Sequence, residues 1–131
     1  MKGRTGHEKM GRILVVDDEV AICNLLRQFL TSKGYEVYTA PDGQTAIARV
    51  KELRPHIVLL DIMMPGMDGL ETLKEITKVD PRVGVIMVTA IFDEELGKRA
   101  IELGAYDYIT KPVSFDYLET VLMVKMIDVL G

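Results

Sequence analysis

The stretch HIVLLDIMMPGMDG, His56 to Gly69, decides how this chain folds. Ile57 to Leu60 are four consecutive apolar residues, and such a run between turn signals reads as a strand buried on both faces. The run ends in a carboxylate, Asp61, and passes into a Met-rich loop with Pro65, Gly66 and Gly69. Asp68 then stands as the N-cap of a helix, with Glu71 three residues on as a capping box, and Leu70, Leu73 and Ile76 form the apolar side. This is one strand–helix unit with an acid at its turn.

The flanking sequence repeats the unit. Ile13–Val16 is an apolar, β-branched run, followed by Ile22, Leu25, Leu26, Phe29 and Leu30 at helical spacing, with Gly34 just past the helix end. YEVYTA (Tyr35–Ala40) reads as the second strand. A helix over about Gln44–Leu53 buries Ala46, Ile47 and Val50, and stops near Arg54 because Pro55 disfavours helix in the residue before it. VGVIMVTA (Val83–Ala90) is the fourth strand. Asp93, Glu94 and Glu95 open the fourth helix, where carboxylates suit the positive dipole end, and Gly104 closes it. AYDYIT (Ala105–Thr110) is a short fifth strand, KPVS a loop, and Phe115–Leu130 the last helix. Five βα units predict a parallel sheet covered by helices on both faces.

The chain has 131 residues, which suits one domain with a real core. Its net charge of −4 argues against a nucleic-acid contact through a broad basic face. Residues 1–11 are Gly-rich and basic and read as a disordered N-terminal tail, leaving 12–131 as the folded domain. No apolar run has the length of a membrane span, and no signal peptide is visible. Cys23, the single cysteine, falls in a helical pattern as a small apolar filler. Together these features predict a cytoplasmic protein.

In a parallel sheet every strand's C-terminal end emerges at one edge, where ligand chemistry gathers. The first strand brings Asp17 and Asp18 there, the third Asp61, the fourth Thr89, and the fifth leads to Lys111. Three close carboxylates repel unless a positive charge intervenes, and an oxygen-only site favours Mg2+. With Lys111 beside the cation, the site suits an anion with several oxygens, a phosphoryl group foremost. Asp61 is the natural nucleophile for an aspartyl phosphate. Taken singly, each residue has an ordinary explanation as a cap, turn former or surface charge; their convergence at one edge carries the weight.

The ordered set VVDDE, LLDIMMPGMDG, VTA and YITKP resembles the response regulator receiver domain of two-component signalling, a phosphoacceptor module also found in single-domain chemotaxis regulators. The resemblance covers Arg12 to Gly131. It implies a flavodoxin-like three-layer (βα)5 sandwich with strand order 2-1-3-4-5. It implies that Asp61 takes a phosphoryl group from a phosphohistidine of a sensor histidine kinase or phosphotransfer protein. It further implies a Mg2+ site (Mn2+ able to substitute) of Asp17, Asp18, Asp61 and the backbone carbonyl of Met63. Lys111 would pair with the phosphoryl group, Thr89 and Tyr108 would form the switch, and the Lys111–Pro112 peptide would be cis. The chain would then act on itself alone, by self-phosphorylation and autodephosphorylation, rather than as a metabolic enzyme.

Competing readings on the same pattern are weaker. An aspartyl phosphatase resembling the haloacid dehalogenases needs a second Asp two residues after the nucleophile, where Met63 stands. A flavin or nucleotide domain needs a Gly- or Ser/Thr-rich loop after the first strand, where VVDDEV offers acids. A degenerate, non-phosphorylated receiver is disfavoured by the intact Asp61, Thr89 and Lys111.

Two features are individual to this sequence. Met63 and Ile91 flank the site and are both apolar, which predicts slow hydrolysis of the phosphoryl group. The last helix is apolar over roughly half its circumference, more than one sheet face needs. Leu122, Met123, Met126, Ile127 and Leu130 lie in that arc, with Val121 and Val124 outside it. The excess predicts a homodimer contact or a junction with an output domain.

Overall fold

The computed structural model describes residues 11–64, 66–90 and 93–130. Five strands, β1 (Arg12–Val16), β2 (Glu36–Ala40), β3 (Ile57–Leu60), β4 (Gly84–Thr89) and β5 (Asp107–Thr110), alternate with five helices. These are α1 (Val20–Ser32), α2 (Gly43–Leu53), α3 (Gly69–Val79), α4 (Glu94–Glu102) and α5 (Phe115–Leu130). The strands form one parallel sheet in the order β2-β1-β3-β4-β5. The three inner strands are the most apolar, and β3 and β4 are buried throughout. β2 and β5 lie at the edges and are half-buried over most of their length.

Alternation along the strands divides the core into two layers. Leu14, Val16, Val58, Leu60, Val85 and Met87 face the residues Ala46, Val50, Leu73, Ile76 and Ala100 of α2, α3 and α4. Ile13, Val15, Ile57, Leu59, Ile86 and Val88 face α1 and α5 through Leu26, Leu30, Leu118 and Leu122. The result is a three-layer sandwich with α1 and α5 on one side.

The Asp68 cap forms as the sequence predicts, and Asp42 and Asp93 cap their helices in the same way. The carboxylates of Asp42, Asp68 and Asp93 accept from the first-turn amides of α2, α3 and α4. Arg54, ahead of Pro55, takes a left-handed φ of 49° and ends α2. Gly34 and Gly104, with φ of 97° and 112°, follow the ends of α1 and α4.

Three expectations need correction. Leu25 lies in the apolar set of α1 but is exposed; the buried residues of that helix are Cys23, Leu26 and Leu30. In α5 the buried stripe is Leu118, Val121, Leu122 and Met126, an i, i+3, i+4, i+8 pattern. Val121 is therefore core, and Leu122 and Met126, expected on a partner surface, are covered by the domain itself. Met123, Val124, Ile127 and Leu130 are the aliphatic and Met residues of α5 left exposed, together with Tyr117 nearer its start. Gly11, assigned to the tail, is buried and its carbonyl accepts from the Glu36 amide at 2.9 Å, which extends the β1–β2 pairing. The rest of the expected tail, residues 1–10, and Pro65, Ile91 and Gly131 lie outside the described residues.

Candidate functional site

The register of the sheet builds the site. Val16 of β1 stands opposite Leu60 of β3, so the residues that follow them, Asp17 and Asp61, leave adjacent strands side by side. The ladder continues one step beyond the strands: the Asp17 amide donates to Ala40 O and the Asp61 amide to Val16 O, both at 3.1 Å. On the other flank Thr89 pairs with Thr110, and the Lys111 amide donates to Thr89 O at 2.7 Å. Backbone pairing thus fixes the roots of Asp17, Asp61, Thr89 and Lys111. The Lys111–Pro112 peptide is cis.

The side chains converge as well. Lys111 Nζ lies 2.8 Å from Asp17 Oδ2, 3.4 Å from Asp61 Oδ2 and 3.7 Å from Glu19 Oε1. Asp17 and Asp61 are buried, at 4% and 5% exposure, whereas Asp18 is exposed. Two backbone donors orient the buried carboxylates: the Glu19 amide reaches Asp17 Oδ1 at 2.9 Å and the Met63 amide reaches Asp61 Oδ1 at 3.1 Å. Cys23 Sγ donates to the carbonyl of Asp17 at 3.3 Å, so the expected apolar filler also packs beneath the site. Glu19 is a member of the Lys111 cluster that sequence reasoning missed. Its position two residues after Asp17 was the available signal.

Burial pushes the Asp61 carboxyl up from its ordinary value, and the Met63 amide and the Lys111 ammonium only partly offset this. Burial pulls the Lys111 ammonium down, but Asp17 and Asp61 outweigh it and the net shift is upward. One ammonium therefore serves two buried carboxylates. One carboxylate oxygen from each of Asp17, Asp18 and Asp61 lies within 4.8 Å of the other two, close enough to share one metal ion. An all-oxygen donor set with excess negative charge fits a hard divalent cation.

The remaining residues are placed less centrally. Thr89 is fully buried at the end of β4. Tyr108 is half-buried against the apolar layer under α2, α3 and α4, and its ring lies 3.6 Å from where a Cβ on Gly97 would stand. Burial, and then the Asp93 carboxylate, raise its phenol pKa. Met63 is 61% exposed beside Asp61.

Residues 13–123 match the sequence model of the response regulator receiver domain. The chain belongs to the response regulator receiver family. Receiver domains are signalling switches of two-component systems rather than metabolic enzymes. The chemotaxis protein CheY of Thermotoga maritima is 41% identical over 102 residues, which cover 77% of this chain and 85% of that one. The transcriptional regulatory protein ZraR of Salmonella typhimurium is 42% identical over 110 residues, 84% of this chain but 25% of ZraR. This receiver thus spans about a quarter of the length of some curated relatives it matches. A CheY-like receiver domain from Methanospirillum hungatei superposes with a TM-score of 0.87 at 34% identity, covering 90% of this chain and 94% of that one. NtrX of Brucella abortus gives 0.85 at 39% identity, over 91% of this chain and 27% of NtrX. No helix among the described residues is long and apolar enough to cross a membrane.

Proposed function

We propose that this receiver is a phosphorylation-driven switch in which Asp61 accepts a phosphoryl group from the phosphohistidine of a sensor histidine kinase or phosphotransfer protein. The observation that supports this most is the buried pair Asp17 and Asp61 sharing Lys111 at the sheet edge. An Asp61 oxygen forms the new P–O bond as the P–N bond of the donor breaks, and the imidazole leaves with the electron pair of that bond. Asp17, Asp18, Asp61 and the Met63 carbonyl would hold Mg2+, which supplies charge neutralisation at the transferring phosphoryl oxygens when bound.

The protein's own groups do the rest. Lys111 already touches both carboxylates, and added negative charge on Asp61 draws its ammonium from Asp17 toward the phosphoryl oxygens. The Thr89 hydroxyl, rooted one strand away, donates to a phosphoryl oxygen. Tyr108 lies on the neighbouring strand β5 over Gly97, so a shift of Thr89 is passed to the face made by α4, β5 and α5. Exposed Met63 offers no polar group to align a water, which favours a long-lived phosphoryl group. A slower loss of phosphate in wild type than in Met63→Asn supports this point, and a faster loss refutes it.

Incubation with Mg2+ and acetyl phosphate, followed by intact-mass measurement, tests the central reading. A single base-labile phosphoryl adduct, absent in Asp61→Ala, is expected. No adduct, or an adduct that survives Asp61→Ala, overturns it. The folded domain is taken to span 12–131, with Gly11 joined to it through the Glu36 amide, and the setting is taken to be cytoplasmic. The exposed strip of Met123, Ile127 and Leu130 on α5 is the proposed contact for a second copy or an output domain.

A further inference from the structure

A second concavity lies at the sheet edge opposite Asp61. About 930 Å³ opens between the starts of β1, β3 and β4, the loop before β5, and the C-terminal parts of α2, α3 and α5. Its lining carries Arg12, Arg54, Arg82 and Lys125 against Asp80 and Asp128, a cationic excess on a chain of net charge −4.

Part of that charge answers the helix ends, whose free carbonyls carry partial negative charge. Arg12 donates through Nε and Nη2 to the carbonyls of Leu53 and Arg54, at 3.0 and 2.6 Å. Arg54 donates to Val79 O at 3.4 Å and lies 3.9 Å from Asp80. The helix ends are thereby matched, and two cations remain. The exposed Arg82 guanidinium has no hydrogen bond or ion pair among the described residues. Lys125 Nζ sits 4.6 Å from the centre of the Tyr106 ring and 3.2 Å from the exposed Asp128 carboxylate. His56 Nδ1 accepts the Arg12 amide at 2.9 Å, so its neutral ring carries the proton on Nε2 as a donor.

We propose that this groove binds a small multivalent oxyanion, with Arg82 and Lys125 as its charge partners, His56 as a further donor and Tyr106 as a wall. Arg supplies a fork and Lys a point charge, the usual pair for phosphate-type oxygens. Arg82 is exposed whereas the Lys125 side chain is only 16% exposed, so salt weakens binding chiefly through Arg82. The site is independent of the phosphorylation chemistry at Asp61, because no residue is shared.

The test is titration of inorganic pyrophosphate into the full chain without Mg2+ at low ionic strength, followed by NMR. Saturable shifts are expected at Arg82, Gly84, Tyr106 and Lys125, with a rise in the His56 pKa at saturation. Arg82→Glu and Lys125→Gln each should weaken binding about tenfold. The proposal fails if shifts are confined to the Asp17–Lys111 edge, if chloride at matched ionic strength reproduces them, or if both variants bind as wild type does. Arg82→Glu falls on an exposed side chain and Lys125→Gln on a largely covered one, and the amide spectra of both variants report directly whether the fold is kept.

Discussion

Asp61 is a carboxylate folded into a place that disfavours its charge. Its pKa is raised by burial, so the folded chain holds the proton more tightly than the unfolded one. The associated stability is full at acid pH and is lost as pH rises from the ordinary carboxylate value through the raised one. Above that window the charged group opposes folding. Asp61→Asn should therefore raise the melting temperature of the metal-free protein at neutral pH by a few degrees, and a lower value in calorimetry contradicts this. Mg2+ should stabilise wild type and have little effect on that variant. His56 works with the opposite sign. Burial and the Arg12 guanidinium lower its pKa below the usual 6.5, so the unfolded chain takes up the proton first. Its contribution is present above 6.5 and is lost as pH falls through the lowered value. Urea midpoints measured from neutral to mildly acidic pH should drop in wild type and drop less in His56→Gln.

At the scale of elements, the junction between β3 and α3 leaves no room for a side chain at Gly69. A Cβ there would run into the backbone of Ile62 and Asp61. Gly69→Ala must move the loop that carries Asp61, so it should cost about 1–3 kcal/mol and slow phosphorylation by acetyl phosphate. Gly84→Ala meets first the Lys125 side chain, 2.7 Å from the added Cβ, rather than backbone, and should be far milder. Equal losses for the two would refute the argument. On α5 the corrected stripe makes a parallel contrast. Leu122→Ala removes a fully buried side chain and should cost about 2–5 kcal/mol. Ile127→Ala, at 71% exposure, should stay within about 0.5 kcal/mol. Chemical denaturation of the pair checks which face of the helix meets the sheet.

For the whole molecule, the apolar strip of Met123, Val124, Ile127 and Leu130 on α5 is the feature its own core does not use. Sedimentation should show a larger species when an aspartyl-phosphate mimic is added, and Ile127→Glu should abolish it. A monomer in both states removes the homodimer reading and leaves the output-domain contact. The sequence by itself determined the strands, the Asp68 cap and the placement of Asp17, Asp18, Asp61, Thr89 and Lys111 at one sheet edge. It could do so because apolar runs define strands locally, and a parallel sheet sends all their ends to one edge. Leu25 and Val121 were misread because α1 and α5 are apolar over more than one stripe, and periodicity does not say which stripe is covered. Only the tertiary structure decided that Lys111 sits closer to Asp17 than to Asp61, that Glu19 joins them, and that four cations ring a groove on the far edge. Apart from Glu19, whose place two residues after Asp17 was a local signal, these depend on register and on contacts between residues tens of positions apart, and no local pattern in the chain encodes them.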